Sequence, residues 1–362
     1  MTVFLTGATG FVGMEVLVRL LDESDEPVVA LVRGRDQAAA DERLAATLDV
    51  AGVPVGARSR VRAVVGELTA PGLGLSRHDV NQLAGEVTSV VHCAASVSWA
   101  LSLDEARAIN VIGTRRVLAF AEDIDHVGRL DRVVHVSTAY VAGRFSGRFA
   151  ETDLAVGQEF RNTYERAKAE AESMVQRFAD RLPITVVRPS IVVGESDSGW
   201  TPAFNVIYWP LRAFSRGLMP ELPALPDSRV DIVPVDYVAD VVVWALRAED
   251  PPRVLHATAG DDALTADRLV GVASDAMGRE RPPLVAVGSE IAGGSEQAAA
   301  YLEYFDMEVV FDDSVSRGVT GLAPPVLESY FGGLIAFAER ARWGKRPVGR
   351  AEARALLRPA AA

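Results

Sequence analysis

The segment Tyr164-Glu-Arg-Ala-Lys168 sets a phenol and an ammonium four positions apart, a spacing that puts two side chains on one face of a helix. Its surroundings, EFRNTYERAKAEAESMVQRFAD, hold neither proline nor glycine and are rich in Ala, Glu and Arg, which predicts a helix of about five turns. The ordinary explanation of such a pair is solvated helix surface. Composition weakens it. Of the 37 basic residues only Lys168 and Lys345 are lysines, and with 7 tyrosines in 362 positions the spacing arises in about 4% of shuffled chains. A phenol titrating near 10 is a poor acid–base group at neutral pH, and a neighbouring ammonium brings its pKa down by favouring the phenolate.

A second candidate is TGATGFVG, residues 6–13, in which Gly7, Gly10 and Gly13 follow an apolar run and open a helical pattern. The first two glycines allow a tight turn and close approach of the backbone to a pyrophosphate, which the N–H groups and dipole of the helix start stabilise. Thr9, Phe11 and Val12 belong to the same loop, and Gly13 is expected to let the helix pack on the sheet. The next strand ends ALVRGRD, placing Arg33 where an NAD site offers a carboxylate to the ribose, with Arg35 two positions on. Guanidinium groups there suit a 2′-phosphate, so the expected cofactor is NADP(H). A third segment, RVVHVSTAYVAG, delivers Ser137 and Thr138 to a strand end.

The elements that must hold these residues alternate. TVFLTG, VVALVR, RVRAVVGEL, SVVHCAA, RVVHVSTAY and ITVVRPSIVVG are apolar on both faces and separated by helical patterns, as in a parallel sheet covered by helices. The fold class is α/β, a doubly wound Rossmann sheet with a smaller C-terminal substrate lobe. Residues 1–194 are expected to form the cofactor domain, completed by about 230–258. Residues 195–229 and 259–345 form the substrate lobe, and 346–362 a basic, partly ordered, solvated tail.

Composition narrows the function. A net charge of −12 and a pI near 5.0 argue against nonspecific nucleic-acid binding. The single Cys93 excludes an intramolecular disulfide framework and a cysteine-rich metal site. No run approaches 18 uninterrupted apolar residues, and the N-terminus has no basic region of a signal peptide, so a cytoplasmic protein without a transmembrane segment is expected. The loop begins so close to Met1 that no adenylation or carrier module is expected before it.

Taken in chain order, TGATGFVG, VVHCAASVSW, INVIGT, HVSTAYVAG, YERAK and VVRPSIVVGES resemble an extended short-chain dehydrogenase/reductase. VVGELTAPGLGLS, HCAASVSW and DIVPVDYVAD are similar to its fatty acyl-CoA reductase and thioester reductase branch, the male-sterility branch, over about residues 1 to 250. The resemblance implies that Tyr164 is the proton donor, Lys168 its activator and Thr138 the hydroxyl holding the substrate oxygen, with Asn110 supporting a water chain to the lysine. It places Glu67 and Leu68 at the adenine, Ala94 and Ala95 on the cofactor floor, and Pro189 and Ser190 beside the nicotinamide; Glu67 departs from the family's usual Asp. His92 and Cys93 read as packed strand-end residues. Ser96, Trp99, Trp200 and Tyr208 are candidate substrate contacts, although Trp99, Trp200, Phe204, Tyr208 and Trp209 also fit a lobe core.

The implied activity is NADPH-dependent reduction of an acyl thioester, on CoA or an acyl carrier protein, to aldehyde or alcohol. The alternative is a ketone or hydroxyl oxidoreductase acting on a steroid-like or polyketide substrate. A sugar-nucleotide epimerase or dehydratase fits less well, because Ala139 and Tyr140 follow Thr138 where that group carries an Asp-Glu pair. A non-catalytic NADP sensor generally lacks the Tyr-Lys pair.

Overall fold

The computed structural model describes residues 1–286 and 303–355. Seven strands, β1 (Val3–Thr6), β2 (Val28–Val32), β3 (Val61–Val65), β4 (Ser89–His92), β5 (Arg132–Val136), β6 (Ile184–Pro189) and β7 (Val254–Ala257), form one sheet. Their order is β7-β6-β5-β4-β1-β2-β3, and every pairing is parallel. Alternate residues serve opposite faces: Val3 and Leu5 join the core under helices α1 (Phe11–Glu23) and α5 (Val235–Arg247). Phe4 joins the other core and meets Phe120 of α3 (Gly113–His126) at 4.7 Å between ring centroids. Apolar side chains on both faces are what the sequence runs require.

Strand order reverses between β1 and β4, and a crevice opens at the carboxyl ends of such neighbours. Thr6 pairs with His92, so the loops after both strands emerge side by side. A Cβ at Gly7 would stand 2.6 Å from the Ala94 nitrogen, and Gly7 has φ +81°; only glycine meets both conditions. Helix α4 (Thr163–Phe178) carries Tyr164 and Lys168 and starts one residue after Asn162, whose side chain accepts the Glu165 N–H. That cap leaves residues 159–162, which the sequence predicted as helical, outside the helix.

A third core gathers Phe149, Tyr208, Leu222, Leu269, Tyr304, Phe311 and Phe331. The last described segment, α6 (Arg350–Ala355), is docked through Arg350 and Ala353. Arg350 is 3% exposed and pairs with the carboxylates of Glu15, at 2.7 Å, and of Glu195. Arg346 pairs with Glu352, and Arg354 with Glu195 and Asp197. The expected solvated character therefore does not hold at Arg350: the acids that neutralise the segment's arginines come largely from elsewhere in the chain, which no local charge count reveals. Arg358 lies outside the described residues.

Candidate active site

The glycine loop, the ends of β2 and β3, the loop after β4, and Asn205, Val206 and Trp209 line one cavity of about 1070 Å³. Gly7, Thr9, Gly10, Arg33, Glu67, Leu68, Ala94 and Ala95 all stand in its wall. Gly10 donates to the Gly7 carbonyl at 2.8 Å and caps α1 without any side-chain acceptor, leaving the N–H groups of the first turn for an anion. A Cβ at Gly13 would come within 2.2 Å of the Gly7 oxygen, so the third glycine accommodates the loop itself rather than the sheet. Phe11 and Val12 are in the first turn outside the cavity wall, where Val12 packs against the core. Glu67 folds back to accept the Thr69 N–H at 3.3 Å, and Arg116 holds the Leu68 carbonyl at 2.9 Å.

Arg35 stands apart from this wall. Its side chain is 89% exposed, leans on Asp36 at 3.3 Å and does not line the cavity. The second guanidinium in the wall is Arg43, from helix α2 (Gln37–Val50), which the sequence presents only as one charge in a polar helix. Among the described residues neither Arg33 nor Arg43 makes an ion pair.

Thr138, Tyr164 and Lys168 do not line this cavity; Lys168 approaches it through the wall residue Cys93, on which its ammonium acts. Lys168 is 2% exposed and donates to the Val136 carbonyl at 2.9 Å; burial lowers its pKa to about 8, against the opposing pull of Glu172. Thr138 is 3% exposed, caps the turn Ala139–Ala142 by accepting the Tyr140 N–H at 3.2 Å, and donates to the Pro189 carbonyl at 3.4 Å. Burial pushes the Tyr164 phenol up to about 12, and its hydrogen bond with Thr138 pulls the other way. Thr138, rather than Lys168, is the group that tempers the phenol here; the ammonium acts on Cys93, His92 and His135.

The rest of the candidate set supports this arrangement. Ser137 turns away to donate to Glu172 at 2.5 Å, and Glu172 accepts from the fully buried Arg188 at 2.9 and 2.6 Å, tying α4 to β5 and β6. Asn110 lies in a π-turn, Ala108–Ile112, which swings its amide onto one residue: it accepts the Ser96 N–H at 2.8 Å and donates to the Ser96 carbonyl at 3.0 Å. His92 is packed as expected, with Thr6 at 2.6 Å and Thr114 at 3.0 Å on its two ring nitrogens. Pro189 offers its carbonyl to Thr138, while Ser190 is buried with its N–H on Ala257 at 3.4 Å; neither lines the cavity.

Of the proposed substrate contacts, Ser96 and Trp99 line the cavity, and Trp200 and Tyr208 do not. Trp200 is 1% exposed, donates to the Val348 carbonyl at 3.0 Å and lies under the Arg350 guanidinium. Tyr208 is 2% exposed and its hydroxyl accepts the Gly194 N–H at 3.0 Å. Successive residues of the helix Tyr208–Ser215 point about 100° apart, so Tyr208 enters the core while Trp209, 51% exposed, reaches the cavity rim. Thr6, Thr69, Ile109, Asn205 and Val206 are among the wall positions that sequence reasoning did not single out.

The chain is similar to an isonitrile lipopeptide synthase of Streptomyces coeruleorubidus, 32% identical over an alignment of 317 residues that covers 84% of this chain and 21% of that protein. It is 31% identical over 281 residues to fatty acyl-CoA reductase 1 of Xenopus laevis, covering 67% of this chain and 54% of the relative. The chain thus spans about a fifth and about half of these two curated proteins. Among solved structures it matches the terminal R domain from the myxalamid PKS-NRPS biosynthetic pathway with a TM-score of 0.79 and 25% identity, over 96% of this chain and 92% of that one. The family model described as male sterility protein matches residues 5–242, which contain the glycine loop, Thr138, Tyr164 and Lys168, and the chain belongs to that family.

Proposed function

We propose that the protein is an NADP(H)-dependent reductase of acyl thioesters, presented on CoA or an acyl carrier protein, with aldehyde or alcohol as product. The observation that carries this reading is the glycine-cradled cavity, with Tyr164 and the buried Lys168 on one helix, α4, and Thr138 just past the end of β5. The names of the similar reductase and R domain support it.

Gly7, Thr9 and Gly10 would hold the pyrophosphate, Glu67 and Leu68 the adenine, and Arg33 with Arg43 a 2′-phosphate. When bound, the cofactor supplies the hydride. Lys168 spends one N–H on Val136 and keeps two for the nicotinamide ribose. As negative charge grows on the thioester oxygen, Thr138 and Tyr164 donate to it, and Tyr164 delivers the proton. A phenol held near 12 stays protonated at neutral pH, the form this direction needs. Collapse of the resulting hemithioacetal expels the thiol and leaves an aldehyde; repetition gives the alcohol.

Consumption of NADPH and NADH, measured against a panel of acyl-CoAs, carrier-bound thioesters, aldehydes and ketones with products identified by mass spectrometry, tests the reading. Thioester-dependent NADPH oxidation is expected. Ketone turnover without thioester turnover would replace it with a ketone oxidoreductase, and equal use of NADH would remove the phosphate role from Arg33 and Arg43.

A further inference from the structure

We infer that Tyr304 is a positioning residue that holds the substrate wall at Trp99 in register with the proton donor Tyr164; this rests on the reading of the site given above. Tyr304 lies in the short turn Glu303–Phe305, outside residues 5–242, and is 3% exposed. Its ring stacks on Trp99, centroids 5.0 Å apart and planes 13° from parallel, and meets Tyr140 edge-on at 4.9 Å. Its hydroxyl donates to Glu165 at 2.8 Å and accepts from the Asn162 amide at 3.0 Å.

These contacts reach three of the segments that carry the site. Trp99 is in the cavity wall, Tyr140 is two residues past Thr138, and Asn162 and Glu165 bracket Tyr164. The hydroxyl closes a ring: Asn162 accepts the Glu165 N–H at 3.0 Å, and both side chains end on Tyr304. The same register is held a second time by Thr163, whose hydroxyl donates to the Leu101 carbonyl at 2.9 Å, two residues beyond Trp99. Glu165 is fully buried, so removal of the phenol leaves a buried carboxylate short of a donor, with Arg161 as its remaining partner. A residue that only fills the third core would change stability alone; one that sets register changes turnover and binding separately.

Two substitutions separate these roles. Tyr304→Phe keeps the ring and removes the hydroxyl; we expect kcat to fall about tenfold, thioester KM to stay within about twofold, NADPH Kd to hold, and amide hydrogen exchange across residues 162–168 to quicken. Tyr304→Leu removes the stack as well and should add a rise in KM of about tenfold. Parental kcat and parental exchange in Tyr304→Phe would overturn the inference even where the parent enzyme reduces thioesters. If the parent reduces no thioester, the activity reading falls, while the exchange measurement on the cofactor-free protein still decides whether Tyr304 fixes the helix start. Should Tyr304→Leu fail to fold, the Phe variant decides.

Discussion

Lys168 carries the sharpest residue-scale consequence. Its pKa in the folded protein is lowered from 10.5 to about 8 because burial penalises the ammonium. Between those two values the unfolded chain holds more protons than the folded one, so this group's contribution makes stability rise with pH across that window. The same shift bears on activity: kcat/KM for NADPH, which reports the free enzyme, should fall above about pH 8 as the ammonium is lost, while Tyr164, near 12, remains protonated. Lys168→Arg keeps a cation that does not titrate there, and should move that limb upward whatever it does to the absolute rate. An alkaline limb above about pH 10 in the parent would detach the profile from Lys168.

At the scale of elements, much of the site was legible because it follows local rules. The glycine loop lies between an apolar strand and a helix, and Tyr164 and Lys168 need only one uninterrupted helix to share a face. What escaped depends on how elements face one another. Trp200 and Tyr208 lie in an aromatic run that can serve equally as wall or core, and only the docking of Val348 and Gly194 against them makes both core. Arg43 looks like an ordinary helical charge until α2 is laid beside β3, so that Arg43 and Arg33 share one wall. Asn110 was identified, but the π-turn that aims it at Ser96 has no sequence signature. The buried Glu172–Arg188 pair likewise becomes visible only when α4 and β6 are adjacent, and it ties the helix of Lys168 to the strand ending at Pro189.

For the molecule as a whole, the C-terminal segment closes onto the cofactor helix. Arg350 reaches 335 residues back to Glu15 on α1 and also pairs with Glu195, and both carboxylate side chains are 1% exposed. Removing one partner of a buried cluster leaves charge without compensation. Arg350→Ala is therefore expected to lose about 3–5 kcal/mol in denaturant unfolding, whereas Arg342→Ala, at an exposed side chain with no ion pair among the described residues, should change stability by no more than about 0.5 kcal/mol. Equal midpoints for Arg350→Ala and the parent would return the segment to the solvated tail expected from sequence. The central claim concerns hydride delivery to a thioester and protonation by Tyr164, and isotope transfer tests it most directly. With NADPH carrying deuterium at the transferred position, mass spectrometry should find the label on the former thioester carbon of the product. Tyr164→Phe should slow its appearance by at least about 100-fold with NADPH affinity nearly unchanged. Unlabelled product, or a Tyr164→Phe enzyme within a few-fold of the parent, would contradict the account.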